Sequence, residues 1–414
     1  MTRRVAITGV GALTSVGHTA TQAWDSIKNG ISGAGKITRF DASTHNVQIA
    51  CEIKDWNAGD YMSAKELRRH DRYQHYAFAV SKEALAQADW NITTEDERSR
   101  TSVVVGSSVG GVESHRENML IVHETHDLRK ISPCGIPMFV ANGASNMLSI
   151  HIGAHGPSQT LVSACATGAD CIGYAFDLIR NGRIDRALAG CSEAPISDLG
   201  IGGFDRIGAA SRNNDDPVGA MRPFAKDRTG LVFGEGAGVL VLEEYESAKK
   251  RGAVILAELC GYASTSDAFH LTAPDPDALG AVQAMRLALE SAGINADQID
   301  HINAHGTATA LNDPMETKAM KQVFGDHAYQ IAISATKSMT GHGMGMTAAL
   351  EAVWCVMALR DQIAPPTINL HEKDSECDLD YVPLVGREVK MIYAMSNAFG
   401  FGGHNASLIF KKAE

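Results

Sequence analysis

The chain has 414 residues, 44% of them hydrophobic and 21% charged, with 40 glycines against 12 prolines. Those proportions suit one large globular unit or two fused domains, and they exclude a disordered, collagen-like or disulfide-stapled chain. Lys and Arg number 37 against 48 Asp and Glu, a net charge of −11. That balance excludes a nucleic-acid binder relying on phosphate neutralisation and, taken as a total, disfavours an acidic partner.

Short apolar runs closed by glycine predict buried strands at 5–7, 102–105, 160–162, 187–189, 239–242, 331–333 and 407–410. Helical segments lie between them at 81–88, 169–180, 278–292 and 346–359, and Thr14-Ser15 is read as opening another helix toward Lys28. The alternation predicts a layered α/β architecture. Two segments share a plan of strand, small-residue turn and helix. One is Thr160-Leu161-Val162-Ser163-Ala164-Cys165 with the helix after Gly168, the other Ile331-Ala332-Ile333-Ser334-Ala335-Thr336-Lys337 with the helix to Leu359. A duplicated unit, split near Arg251-Gly252 within one compact body, is the expectation. The turn-rich run Arg212-Asn213-Asn214-Asp215-Asp216-Pro217 is expected at the surface.

Eight cysteines are scattered without a CxxC pair or zinc-finger spacing. The start, Met-Thr-Arg-Arg-Val-Ala, lacks the apolar stretch of a signal peptide. No apolar run approaches the roughly 18–20 residues that span a bilayer. A cytoplasmic protein with reduced, mostly buried thiols and no membrane contact is therefore expected.

Cys165 stands where a strand gives way to a helix, in Val162-Ser163-Ala164-Cys165-Ala166-Thr167-Gly168. Free N–H groups and the macrodipole at a helix N-terminus favour a thiolate; a buried structural cysteine is the alternative at this position. His305 lies in Asn303-Ala304-His305-Gly306-Thr307-Ala308-Thr309 and His342 in Lys337-Ser338-Met339-Thr340-Gly341-His342-Gly343. Glycine beside each predicts exposure to a cleft, and no third ligand stands at metal spacing. Gly9-Val10-Gly11 lacks the full dinucleotide-binding pattern and the acidic residue that should follow it. Phe399-Gly400-Phe401-Gly402-Gly403-His404-Asn405 is either a mobile loop bringing N–H groups to a reacting carbonyl or a tight turn before the last strand.

Together these motifs resemble the β-ketoacyl-acyl-carrier-protein synthases of the thiolase superfamily, in particular the elongating synthase II type. The resemblance extends over the whole chain and includes Arg222-Pro223-Phe224, Gly234-Glu235-Gly236-Ala237-Gly238 and Pro365-Pro366-Thr367-Ile368-Asn369-Leu370. It implies a thiolase-like five-layered αβαβα fold of two pseudo-symmetric halves. Residues 1–250 would carry the nucleophilic cysteine and residues 251–414 both histidines. It further implies that Cys165 accepts an acyl group from acyl carrier protein as a thioester. Decarboxylation of malonyl-carrier protein would follow, the enolate being held by His305 and His342 as neutral imidazoles. The acyl oxyanion would lie on the N–H groups of Cys165 and Phe401. Lys337 would pair with Glu351 and orient the histidines, with Asp313 and Glu316 at further acidic positions. Thr307 and Thr309 would bond the phosphopantetheine arm. Val109, Phe204, Phe399 and Gly400 would line the substrate pocket. No metal or other cofactor is implied; the substrates arrive on the carrier's phosphopantetheine.

Both histidines point away from thiolases, which use a second cysteine, and from initiating synthases, which replace one histidine by asparagine. The presence of Cys165 counts against a catalytically silent chain-length subunit. Two departures bear on the pathway, one of them Gly343-Met344-Gly345-Met346-Thr347 after the second histidine in place of the usual leucines and alanines. Where fatty-acid synthases of this type carry two phenylalanines, this chain has Cys134-Gly135 after Ile131-Ser132-Pro133, and the wall at the far end of the acyl pocket would be missing. Fatty-acid elongation as a homodimer is the favoured reading. The alternative is the ketosynthase subunit of a type II polyketide system, paired with a chain-length factor. The resemblance also revises the inference from net charge, since local patches decide docking over a screening length of about 8–10 Å. Lys65, Arg68, Arg69, Arg129, Lys130 and Arg206 would dock the acidic carrier protein.

Overall fold

Ten strands hydrogen-bond into one ladder in the computed structural model, which describes residues 2–414. They are β1 (Val5–Leu13), β2 (Thr101–Gly106), β3 (Ser158–Gln159), β4 (Arg186–Glu193), β5 (Gly236–Glu244), β6 (Ala257–Ser266), β7 (His301–Asn303), β8 (Ala332–Ser334), β9 (Tyr393–Gly400) and β10 (His404–Lys412). Their spatial order is β8-β7-β9-β10-β6-β1-β5-β4-β2-β3.

The ladder contains the same pattern twice. In each set of five, the third strand in chain order lies at the edge, followed by the second, fourth, fifth and first. Directions repeat as well: β3, β2 and β4 are parallel, with β5 and β1 antiparallel beyond them. Likewise β8, β7 and β9 are parallel, with β10 and β6 antiparallel beyond. The two sets meet edge to edge where Val5, Ala6 and Ile7 of β1 pair with Leu259, Glu258 and Ala257 of β6.

The helices complete the layers: α1 (Ala20–Lys28), α2 (Arg72–Ala88), α3 (Val112–Thr125), α4 (Gly143–Ile152), α5 (Thr167–Arg180), α6 (Asp198–Arg206), α7 (Leu279–Ala292), α8 (Asn312–Phe324) and α9 (Gly345–Asp361). In the middle, α5 and α9 pack on each other and on strands of both sets. Outside them, α2 and α4 cover the first set, and α7 covers the second with α8 packed on it. This is the expected five-layered αβαβα arrangement. Every residue of α9 from Gly345 to Leu359 is buried, and its run Ala-Ala-Leu-Glu-Ala-Val-Trp-Cys-Val-Met-Ala-Leu has no polar face; a helix apolar all round has nowhere stable but an interior. The start of α2 is buried as well, and there Asp71 and Gln74 form a reciprocal cap on its first turn. Small residues set the spacing of the central layer. A Cβ added at Gly168 would stand 2.5 Å from the Gly345 carbonyl oxygen and 2.6 Å from the Ala349 nitrogen.

Two local expectations differ from the structure. Residues 160–162 do not extend the strand, which stops at Gln159. Side chains replace the ladder there: Ser145 Oγ and Thr160 Oγ1 reach the Val105 carbonyl at 2.8 and 3.0 Å, and the Val105 N–H donates to Ser145 Oγ. Thr14 and Ser15 belong to a turn closed by a Thr14 N–H bond to the Gly17 carbonyl. The helix starts instead at Ala20, capped by Thr19. No helix among the described residues is long and apolar enough to cross a membrane.

Gly168→Ala forces the α5–α9 backbones apart and is expected to cost about 3 kcal/mol, measured as a lowered urea midpoint with unchanged slope.

Candidate active site

Two strand–turn–helix units, one from each set, face each other at the end of the central layer. In the first, the chain leaving β3 turns through Ala164–Ala166 into α5. Ala164 is left-handed at φ 51°, a conformation costly for a residue bearing a Cβ. The turn places Cys165 at the helix entrance, 6% exposed, with the backbone N–H groups of Phe401 and of Cys165 itself close to Sγ.

In the second unit, β8 leads into the short helix Lys337–Thr340, then to His342 and α9. The His342 backbone is sewn onto the first half of the chain, its N–H donating to the Val232 carbonyl and its carbonyl accepting from the Gly234 N–H. Its Nε2 lies 3.1 Å from Cys165 Sγ. His305 follows β7 and sits edge-on to His342, ring centres 5.6 Å apart, and equally far from Phe399. Its turn is clamped by Glu316 of α8, whose two oxygens accept the His305 and Gly306 N–H groups at 2.7 and 2.8 Å. Beneath the histidines, Lys337 Nζ donates to Glu351 Oε1 at 2.7 Å, both residues fully buried. Asp313, also buried, accepts the Phe224 N–H at 2.8 Å.

Electrostatics follow from this burial. Desolvation, with Lys337 as the nearby positive charge, holds both His305 and His342 well below the usual imidazole range. Both are neutral at physiological pH. Burial likewise pushes the Cys165 thiol up to about 11, against the opposing pull of Lys337 and the Phe401 N–H. The expected thiolate is therefore not the resting state: loss of water outweighs the helix terminus. The histidines also differ from expectation, being 3% and 2% exposed at the base of a cavity rather than open to a cleft. Burial raises Glu316 to about 7 despite its two backbone donors.

That cavity measures about 230 Å³. Cys165, His305 and His342 form its base; Thr307, Thr309, Phe204, Phe399, Gly400 and Phe401 all line it. Thr307 and Thr309 share a hydroxyl contact of 2.9 Å, and Phe204 stacks on Phe401 at 5.6 Å. Val109, Cys134 and Gly135 do not line it. Cys134 instead precedes the short helix Gly135–Phe139 without a side-chain cap bond, and Ile136 within it is largely exposed. A Cβ on Gly135 would meet only Asn118, at ordinary contact distance.

The six cations are all exposed, and five of them (Lys65, Arg68, Arg69, Lys130 and Arg206) form no salt bridge among the described residues. Arg129 pairs with Asp127 at 2.9 Å. Lys65 stands on a helix of only four residues, Ala64–Leu67, and Arg206 ends α6 between cavity residues Phe204 and Ile207. Sequence reasoning missed Glu193 and Asp170, buried carboxylates close to Cys165. An acidic residue ending the apolar strand Ala187-Leu188-Ala189-Gly190-Cys191-Ser192-Glu193 was the available signal for the first. Among the described residues no group of three or more His, Cys, Asp or Glu could hold a metal ion.

Residues 2–248 match the N-terminal domain of β-ketoacyl synthases and residues 256–371 the C-terminal domain. The chain is 46% identical over 410 residues to a Synechocystis protein, 3-oxoacyl-[acyl-carrier-protein] synthase 2, covering 99% of this chain and 98% of the relative. The protein of the same description from Staphylococcus aureus is 43% identical over 417 residues, covering 100% and 99%. Among solved structures, the ishigamide ketosynthase/chain length factor superposes with a TM-score of 0.92 at 35% identity, over the full length of both chains.

A neutral thiol facing a neutral imidazole predicts a particular pH profile. Because the thiolate is the reactive form, alkylation of Cys165 by iodoacetamide is expected to accelerate about tenfold per pH unit from 7 to 10, without a plateau. A rate flat between pH 6 and 8 would mark a resident thiolate–imidazolium pair instead.

Proposed function

The chain belongs to the β-ketoacyl synthase family, and from that premise we propose that it is a 3-oxoacyl-[acyl-carrier-protein] synthase of type II fatty acid elongation. The observation that carries the reading is the 3.1 Å approach of Cys165 Sγ to His342 Nε2, with a second neutral imidazole, His305, beside it.

Sγ attacks the thioester carbonyl of an acyl group delivered on carrier protein, and the proton it loses ends on the departing pantetheine sulfur, leaving His342 neutral. The carbonyl oxygen becomes an oxyanion held by the N–H groups of Cys165 and Phe401, which lie close to Sγ. Malonyl thioester then enters past Thr307 and Thr309 and loses CO2. The pair of electrons left behind forms an enolate, and His305 and His342 donate hydrogen bonds to its oxygen. Neutral imidazoles suit this role because a new negative charge beside them costs no proton rearrangement. The enolate carbon attacks the Cys165 acyl carbon, the second oxyanion forms on the same two N–H groups, and its collapse expels Cys165 as a thiolate, which takes up a proton from solvent to restore the thiol. Lys337, fixed by Glu351, keeps the imidazoles neutral, and Glu316 fixes the His305 turn. Phe204, Phe399 and Gly400 shape the space for the chain.

Residues 1–250 act as the half bearing the nucleophile and residues 251–414 as the half bearing the histidines. The reaction needs no cofactor beyond the carrier's phosphopantetheine, and the reading is of a cytoplasmic enzyme. Lys65, Arg68, Arg69, Arg129, Lys130 and Arg206 supply positive charge for the acidic carrier, so the total of −11 does not oppose docking. Exposed Leu128, Ile136 and Ile150 favour a covered face, in a homodimer or with a chain-length factor. A second reading is the ketosynthase subunit of a type II polyketide system. It is favoured by Cys134-Gly135 and by the similarity to a ketosynthase/chain length factor. Val109, Cys134 and Gly135 would then face a pocket completed by the partner. Turnover of saturated acyl-carrier substrates by the chain purified alone supports elongation; activity confined to a co-expressed partner supports the second reading.

Cys165→Gln, whose side chain mimics the acylated cysteine, is expected to decarboxylate malonyl-carrier protein without condensing it, seen as CO2 release with no 3-oxoacyl product. His305→Ala is expected to lose decarboxylation by about a hundredfold or more. Reversing Lys65, Arg68 and Arg69 to Glu is expected to raise KM for carrier protein about tenfold at low salt with kcat little changed.

A further inference from the structure

A buried carboxylate that none of these steps uses lies just beyond the nucleophile. Asp170, in the first turn of α5 and 3% exposed, accepts two hydroxyls, one on each oxygen. Ser163 Oγ donates to Oδ2, and the Tyr262 phenol donates to Oδ1 at 2.8 Å. Ser163 comes two residues before Cys165. Tyr262 comes from β6, in the other set of strands, and its ring fills the space over Gly173, where a Cβ would stand 2.2 Å from a ring carbon. One side chain thus ties the segment entering the nucleophile turn to the helix leaving it and to the opposite half of the molecule.

The turn is otherwise held by few bonds. The Ser163 N–H donates to Thr167 Oγ1 at 2.9 Å and the Ala166 N–H to the Ser163 carbonyl at 3.0 Å. Left-handed Ala164 between them is a disfavoured conformation that persists only when its flanks are fixed. The strand end bearing Phe401 rides directly on this turn. A Cβ on Gly400 would stand 2.8 Å from the Ser163 oxygen and 3.0 Å from the Cys165 nitrogen. Where Ser163 sits therefore sets the direction of the Cys165 N–H and its spacing from the Phe401 N–H.

We propose that Asp170 is a positioning residue for acyl transfer: acting through Ser163, with Tyr262 as its second tether, it holds the Ala164–Cys165 turn so that Sγ and the Cys165 N–H aim into the cavity. The inference rests on the reading of Cys165 as nucleophile. Neither Asp170 nor Tyr262 lines the cavity, so neither touches substrate. A carboxylate suits the position because it accepts from both hydroxyls at once, whereas an amide has one accepting oxygen and turns N–H groups toward the other donor.

The test compares Asp170→Asn, Tyr262→Phe and the double variant with the unmodified full chain. Acylation of Cys165 by acyl-carrier protein is followed by intact mass under single turnover. Malonyl-carrier decarboxylation is measured separately, in a Cys165→Gln background. Each single variant is expected to slow the saturating rate of acylation about tenfold or more, with half-saturation little changed, because misaimed groups lose rate rather than binding. Decarboxylation stays within about twofold, and the double variant is no slower than the slower single, as for residues acting as one unit. Equal losses in both assays, additive losses in the double variant, or unchanged acylation in Tyr262→Phe would overturn the proposal. Should Asp170→Asn not fold, Tyr262→Phe, which keeps the packed ring, still decides it. If the unmodified chain takes no acyl group at all, the proposed function fails instead. Iodoacetamide alkylation of Cys165 then still reads the turn: a slower rate in both variants supports the tether, and equal rates refute it.

Discussion

Much of the molecule is arranged around one contact, the 3.1 Å approach of Cys165 Sγ to His342 Nε2. The two residues are 177 positions apart and come from equivalent places in two copies of one plan, each at the turn between the third strand and the helix after it. Bringing those turns face to face requires both helices to share the middle layer. That in turn requires α5 and α9 to be packed without water and at close spacing. Gly168 against Gly345 and Ala349 supplies the spacing, and the predominantly apolar surface of α9 supplies the burial. The paired edges of β1 and β6, together with the His342 backbone bonds to residues 232 and 234, stop one half from sliding over the other.

Burial that fixes the geometry also sets the charge state. Desolvation is the largest influence on Cys165, His305 and His342 alike, and it drives each toward its neutral form. Lys337 is the positive charge that acts on all three, compensated by Glu351 at 2.7 Å. It opposes protonation of the imidazoles and favours loss of the thiol proton, so one ammonium group biases the site toward hydrogen-bond donation at the histidines and nucleophilic attack at the cysteine. Neither effect works through contact with the cavity; both are fields acting in a space from which water has been removed.

How much of this was legible depended on whether the cause was local in the chain. Glycine-closed apolar runs marked most of the strands because a buried strand has to be apolar along its whole length. The repeated strand–turn–helix plan was visible for the same reason, though the matching strand order of the two sets was not. Residues 160–162 were misread because the decisive bonds came from Ser145 and Thr160 hydroxyls, which no pattern of hydrophobicity encodes. The neutral state of Cys165 was missed because a helix terminus is a sequence-local feature, whereas desolvation is tertiary. Cys165, His305 and His342 stood out from their turns and flanking glycines, which are local features, whereas their roles, and Lys337 with its partner Glu351, came through motif resemblance. The tether from Asp170 to Tyr262 spans 92 positions and had no sequence signal beyond an acidic residue in the apolar first half of its helix.

Charge illustrates the difference between a total and a field. The chain carries −11, yet Lys65, Arg68, Arg69, Lys130 and Arg206 stand exposed without salt-bridge partners among the described residues, Arg206 beside residues that line the cavity. The most direct measurement of the whole account is the site of acylation after mixing the protein with acyl-carrier protein, mapped by peptide mass spectrometry. One acyl group per chain, on the peptide containing Cys165 and on none of the other seven cysteines, is the predicted result. An acyl group on Cys134, Cys171 or Cys191 with Cys165 unmodified would contradict it.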